Sequence, residues 1–574
     1  MGALNGRERW TAVARGDEPA DLAIVGGQVL SVFTGEIFQA DVAIVDGHVV
    51  GLGSYGGRET IDATGKYLIP GLIDGHCHIE SSKLNVDEFA RVIVAHGTTA
   101  AVVDPHELAN VLGVRGIEYV LEAGEGLPLR LFVTLPSCVP ASDFESPHTA
   151  LGAEELAELA GHKRVVGLAE MMNYPAAAAG RVDVLAKMAL TGFRHIDGHA
   201  PGLSGAELCA YIASGPSSDH ECTTVEEALE KRRLGMWVMI REASMIRNLT
   251  DLLPLIKRHG TDNTMFVTDD REAGTLLDEG SVNSMLRKAV ANGLSPADAV
   301  KLATLNPARY HDLQELGAVA PGYRADILIL PDLVSFNPDM VLVDGTVVAR
   351  DGETLPCPSV AVPTDVTGTV HIQPVKQEDF RRETTGAESI RIVTLIRDQV
   401  VTRATVGAAF VRDGALEADP ASDLAKLAVV ERHHASGRIG VGFVRGFGLQ
   451  HGAFASTVAH DAHNIVIVGV NDDDMALCAN RLAEIGGGLI VAADGGVRGE
   501  MSLEIAGLMS TRPAAEVVTE IARLEAELAN LGVTPATPFM YLSFLALSVI
   551  PEMRVTDQGV IDVLSFSHVP LEVA

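Results

Sequence analysis

The chain has 574 residues, a formal net charge of −32, 47% hydrophobic and 21% charged residues, and only 5% aromatic ones. It is long enough for several buried cores, and so acidic and aromatic-poor a chain disfavours nucleic acid as a partner, by repulsion and for lack of stacking platforms. Its six cysteines form no CxxC pair, which excludes a disulfide framework and a cysteine-rich zinc module and fits a reduced, cytoplasmic setting.

In chain order, MGALNGRERW lacks the apolar core of a secretory signal. Short strands broken by Gly-Gly and Asp-Gly turns follow in DLAIVGGQVLSV and ADVAIVDGHVVGLG. Similar runs return at 325–330 and 340–348, so a small β-domain built from both flanks (1–65 and 319–363) is expected. Between them, over 66–318, strands and helices alternate. A buried strand is expected over 67–73, then others over 98–104, 129–135, 165–170, 193–198, 236–241 and 264–269, with a weaker one near 217–220. Helical patterns cover 85–95, 153–159, 182–190, 206–213, 225–234 and 282–292. Eight such units over roughly 250 residues match a closed parallel (β/α)8 barrel. The open doubly wound sheet is the other possibility, but no GxGxxG follows the first strand.

In a barrel, chemistry sits at strand carboxyl ends, and polar residues fall there. His76 and His78 follow the first strand on one face, with Asp74 or Glu80 beside them. Asp104 and His106 end the second, Glu170 the fourth, His199 the fifth and His220 the sixth. Arg241 with Glu242 ends the seventh, and Asp269 with Asp270 the eighth. Glu170 could bridge two metal ions, with the histidines completing two shells and Asp269 accepting a proton from water; this is a pattern for metal-assisted hydrolysis. Plainer readings exist for several of these. His-x-His in a Gly-rich turn could bond backbone, Asp104 and His106 could cap a helix, and Arg241–Glu242 could be a structural ion pair.

PGLIDGHCHIESS, VVDPHELANVLG, DGHAPGLSG, SSDHEC, MIREAS and VTDD, with the run ATLNPARYHDLQELGAVAPGYRADILIL, resemble the bacterial adenine deaminases of the amidohydrolase superfamily. The likeness continues through His433, His434 and the run AHDAHN at 459–464, so it covers nearly the whole chain. The loop ESPHT at 145–149 departs from the family pattern. The resemblance implies an α/β fold: a (β/α)8 TIM-type barrel, a small β-sandwich domain from both flanks, and a C-terminal α+β domain over 364–574. It implies a binuclear site holding two divalent metal ions, manganese or ferrous iron, on His76, His78, Glu170, His199, His220 and Asp269. The implied reaction is deamination of adenine to hypoxanthine and ammonia. Asp269, Glu242 and His106 are the candidate catalytic residues, and Asp104, Glu107, Arg241 and Asp270 the candidate substrate contacts. A homodimer without membrane or nucleic-acid partners is expected. A hydrolase acting on a cyclic amide is the alternative, disfavoured by Glu170 where such enzymes often place a carboxylated lysine, and a non-catalytic scaffold is the third reading.

Outside the barrel, His460 and His463 resemble a metal pair, but Asp461 and Asn464 are expected to organise a turn there. Gly486–Gly488 and DGG at 494–496 lack the Lys-Ser/Thr of a phosphate loop and are expected to be turns. His148, His162 and His311 are expected on the surface, and Cys77 in the core.

Overall fold

The computed structural model describes residues 6–190, 192, 195–397 and 399–573. Phe193, the expected start of the fifth barrel strand, lies outside the described residues. Eight parallel strands form the centre: β1 (Leu72–His78), β2 (Thr98–Val103), β3 (Arg130–Leu135), β4 (Val165–Met171), β5 (His195–Gly198), β6 (Ser218–Asp219), β7 (Trp237–Arg241) and β8 (Thr264–Val267, resumed as Asp269–Asp270). One ladder runs β5-β4-β3-β2-β1 and on to the Asp269–Asp270 end of β8, and the other runs β6-β7-β8. The Ser217 N–H donates to Ile196 O at 2.9 Å between β5 and β6, so the sheet closes on itself. The TIM-type barrel is therefore present.

Parallel strands covered on both faces must be apolar or small almost throughout, and every residue of β1 and β2 is buried. The outer helices carry the complementary period. Val86–Ala95 buries Val86, Phe89, Ala90, Ile93 and Val94 on one face. Asn85 Oδ1 caps its start, 2.8 Å from Val86 N, and Gly97, at φ 91°, follows its end.

The strand expected over 67–73 divides at Gly71. Tyr67–Pro70 joins a seven-stranded sheet outside the barrel, and Leu72 opens β1. Glycine is required at the crossing because a Cβ there would meet Thr99 Oγ1 at 2.1 Å. The seven-stranded sheet takes Gln28–Leu30 and Ile37–Gln39 from before the barrel and four strands, Ile327–Leu330 to Glu353–Thr354, from after it. A four-stranded sheet of Ala20–Val25, Asp41–Val45, His48–Gly53 and Gly57–Asp62 packs on it, over a core that includes Leu22, Ile24, Ile44, Leu68, Ile327 and Leu342.

After residue 389 a nine-stranded sheet dominates. Its strand Ala425–Val430 alternates with period two. Leu427 and Val429 join the core shared with the barrel, whereas Ala428 and Val430 pack with Met475, Cys478 and Leu482 of helix Asp472–Glu484. Ser510 exchanges backbone hydrogen bonds with Lys83 and Asn85 just beyond β1. Helix Pro538–Phe544 brings Phe544, then Leu547 and Ile550, into the cavity that the barrel strand ends also line. The C-terminal region therefore covers the barrel mouth. Among the described residues no helix is long and apolar enough to cross a membrane.

Phe454, fully buried, meets Phe447 and Phe539 edge-on with ring centroids 5.3 and 5.8 Å apart, tying the nine-stranded sheet to the helix that reaches the cavity. Replacing it with alanine is expected to lower stability by about 3–5 kcal/mol, seen as a lower thermal unfolding midpoint.

Candidate metal and active site

Barrel closure brings the strand-end donors together. His78 Nε2 lies 3.3 Å from Glu170 Oε1 and 3.3 Å from Asp269 Oδ1. His76 Nε2 is 3.9 Å from Glu170 Oε1 and 3.7 Å from Asp269 Oδ1. The other oxygen of Glu170 is 2.6 Å from His199 Nδ1 and 3.2 Å from His220 Nε2. All six side chains are buried. His78 Nδ1 bonds Asp104 O at 3.1 Å, which fixes the ring and leaves Nε2 facing the cluster. Asp269 adopts φ 60°, a left-handed backbone uncommon outside glycine, where β8 resumes after its break at Thr268.

Of the other expected residues, Arg241 is in the site. Its Nη1 donates to Asp269 Oδ2 at 2.9 Å and its Nη2 to Glu221 Oε2 at 2.8 Å. Asp104 sits behind His106, with Oδ2 3.0 Å from His106 Nδ1 and Oδ1 accepting the His106 backbone N–H at 3.2 Å; it caps and orients at once. His106, Glu107 and Asp270 line the cavity. Glu242 is not brought together with them. Its carboxylate pairs with Lys288 and accepts the Leu249 N–H at 3.2 Å, on the far side of the chain from Arg241. Neither carboxylate expected beside the histidines joins the cluster: Asp74 is bonded by Thr268 across the barrel seam, and Glu80 accepts the Leu108 N–H at 3.2 Å.

Among the titratable residues that line the cavity, the sequence reading missed three. Glu221, directly after His220, lies 3.3 Å from His220 Nε2 and 3.7 Å from His199 Nδ1. Strand alternation aims it away from His220, but it stands past the two-residue end of β6, where alternation no longer applies. His460, seen only as half of a possible metal pair with His463, and Asp461, expected to organise a turn, both reach the barrel: His460 Nδ1 is 2.7 Å from Glu107 Oε1, and Asp461 Oδ1 is 3.5 Å from His106 Nε2. Asn464 does hold backbone, accepting from Arg432 N and donating to Ser146 O. His311, expected on the surface, is buried, with Nε2 2.8 Å from Gly75 O under β1. His148 is exposed, His162 half-buried and Cys77 buried.

Burial alone would raise the Glu170 carboxyl, but His220, His199 and His78 hold it well below the usual carboxylate range. Burial, reinforced by His220 and His78, keeps His76 well below an ordinary histidine. His76 is thus a neutral imidazole, and its buried Nε2 has no hydrogen-bond partner among the described residues. Spacings of 3.3–3.9 Å from Nε2 of His76 and His78 to the carboxylate oxygens are too long for good hydrogen bonds. They suit ligands that each stand about 2 Å from a shared cation. His76, Glu170 and His220 form one group of converging donor atoms, and His76, His78 and Asp269 another. The donor set therefore fits divalent metal ions.

A closed parallel barrel with such donors at its strand ends defines a metal-dependent hydrolase, and residues 67–348 match the amidohydrolase family. Residues 399–567 match the adenine deaminase C-terminal domain. Over 562 residues the chain is 46% identical to adenine deaminase of Desulfatibacillum aliphaticivorans, covering 98% of each chain. It is 47% identical to adenine deaminase 2 of Carboxydothermus hydrogenoformans, over 97% of this chain and 98% of that one. With the adenine deaminase of Methanothrix thermoacetophila it shares 44%, over 98% of each. The chain belongs to the adenine deaminase family.

Lys231, fully buried, holds the ends of β5 and β6 in place: its Nζ donates to Asp219 Oδ2 at 3.0 Å and to Ala200 O at 2.6 Å. Lys231→Met strands the Asp219 charge. It is expected to lower stability by about 3–5 kcal/mol, measured by thermal or denaturant unfolding, and to reduce the metal retained after dialysis.

Proposed function

We propose that the protein hydrolyses adenine to hypoxanthine and ammonia. The observation that carries this reading is the convergence of six buried donors beneath a cover with the adenine deaminase C-terminal sequence. We assign His76, His78, Glu170, His199, His220 and Asp269 as ligands of two divalent metal ions. The likeness to adenine deaminases points to manganese or ferrous iron, and imidazole with carboxylate donors accommodates either. When bound, such ions lower the pKa of water so that hydroxide is available near neutral pH.

The chain's own groups handle protons and position. The water oxygen bonds to C6 as the C6–N6 bond breaks. Asp269 takes one water proton and passes it to N6, which departs as ammonia. Arg241, 2.9 Å from Asp269 Oδ2, holds that carboxylate in register through the transfer. The ring nitrogen N1 gains charge during attack and needs a donor. His106 fits: burial opposes its protonation, but Asp104 and Asp461 raise it well above an ordinary histidine. It gives N1 a proton and recovers the second one from water, so the products are hypoxanthine with N1–H and ammonia. Asp270 and Glu107 face the base. Glu242, held by Lys288, takes no part in this scheme.

The same reading keeps a cytoplasmic homodimer and domain limits of 1–65 with 319–363, 66–318 and 364–574 as proposals; light scattering and limited proteolysis test the last two. Asp269→Asn is expected to lower kcat at least about 1,000-fold while retaining part of the metal, and near-wild-type kcat would reject the proton role. Chelation should abolish ammonia release, with recovery on adding two equivalents of Mn2+ or Fe2+. Turnover of adenosine but not adenine would reject the free base as substrate.

A further inference from the structure

We infer that Glu107 and His460 form the purine-recognition end of the cavity: Glu107 accepts the N–H of the purine's five-membered ring, and His460, contributed by the C-terminal region, is the residue that positions it. This rests on the adenine reading above and goes beyond it to the atoms that select the free base.

Glu107 is fully buried, yet neither carboxylate oxygen has an aligned hydrogen-bond partner among the described residues. His460 Nδ1 approaches Oε1 at 2.7 Å and His463 Nε2 approaches Oε2 at 3.9 Å. His460 thus engages Oε1, whereas Oε2 has no donor within hydrogen-bond distance among the described residues; a buried carboxylate oxygen left without a donor is costly, and a ligand N–H would satisfy it. It lines the cavity that His199, His220 and Asp269 also line, so a ligand in contact with it lies within reach of the metal donors. Burial opposes ionisation of Glu107, but His460 holds it below the ordinary carboxylate range. His460 is fixed in turn: its ring stacks on Phe544 with centroids 4.5 Å apart and planes at 18°, and its N–H bonds Ser543 O at 2.8 Å.

Free adenine carries one N–H on its five-membered ring, and a nucleoside has a glycosidic bond there instead. A buried acceptor matched to that N–H would be left unpaired by an N-substituted purine, and sites of this kind discriminate strongly. The geometry thereby ties base selection to a residue more than three hundred positions along the chain from Glu107.

The test is binding of two analogues to the metal-loaded enzyme by isothermal titration calorimetry. 7-Deazaadenine and 4-aminofuro[2,3-d]pyrimidine have the same shape and differ by N–H against oxygen. The expected result is about 100-fold tighter binding of the N–H analogue to wild type, falling below about 5-fold in Glu107→Leu that still holds two metal equivalents. For His460→Phe, which preserves the ring stack, the loss should fall mainly on KM for adenine, about 10-fold or more, with partial rescue in His460→Asn. Equal affinity for the two analogues in wild type would overturn the inference. So would a third metal equivalent that disappears in Glu107→Leu, or a His460→Phe variant that loses kcat at unchanged KM. Failure of the deaminase reading shows separately, as no ammonia from adenine with the metal-loaded wild type.

Discussion

Glu170 is a carboxylate with almost no access to water that lies within 3.3 Å of three imidazoles. A buried charge is tolerated only when its surroundings compensate it, and much of the barrel's upper face can be read as that compensation. His199 and His220 approach one oxygen and His78 the other. Asp269 answers with a second negative charge, and Arg241 balances it. Glu221 then meets Arg241, His199 and His220 together. The cluster is over-determined, since each member has partners on at least two other strands. Substituting one member therefore disturbs several contacts, and losses at these positions will not add.

The cover extends the same network. Asp461 reaches His106 and His460 reaches Glu107 from a segment that folds with the nine-stranded sheet, not with the barrel. Phe544, Leu547 and Ile550 supply an apolar wall opposite the charged floor. Excluding water strengthens every electrostatic contact inside. It also leaves unmade bonds expensive, and among the described residues Glu107 Oε2 and Asp461 Oδ2 have no hydrogen-bond partner.

Much of the barrel was legible because periodicity and strand-end logic are local. Continuous apolar runs such as Thr98–Val103, bounded by amphipathic helices, announce parallel strands, and the polar residue after each run announces the face that carries chemistry. Glu242 shows the limit of that logic. It follows Arg241 at the same strand end, yet the chain turns and Lys288 draws it aside, a contact 46 residues away that no local pattern encodes. The family resemblance picks Asp269 over Asp270, but no local pattern announces its left-handed backbone. The barrel contacts of His460 and Asp461 were not legible, because their partners Glu107 and His106 lie in another part of the fold. His311 read as surface because its acceptor is a backbone carbonyl of β1, that of Gly75, more than two hundred residues earlier in the chain.

The net charge of −32 bears on function differently from the buried site. An acidic surface raises the local concentration of divalent cations and repels polyanions, within about one Debye length at cellular ionic strength. Adenine is uncharged near neutral pH, so that field neither steers it in nor holds it out. Discrimination among purines therefore falls to short-range contacts inside the cavity. On the proposed reading barrel and cover hold separable duties: strand ends would fix the ions and move protons, and the junction between Glu107 and the C-terminal segment would select the base. Because that junction lies where barrel and C-terminal region share one core, with Leu108 and Ala109 clustered with Val458, Ala459 and Phe544, a change that loosens their contact is expected to be felt first in substrate affinity and only later in metal retention.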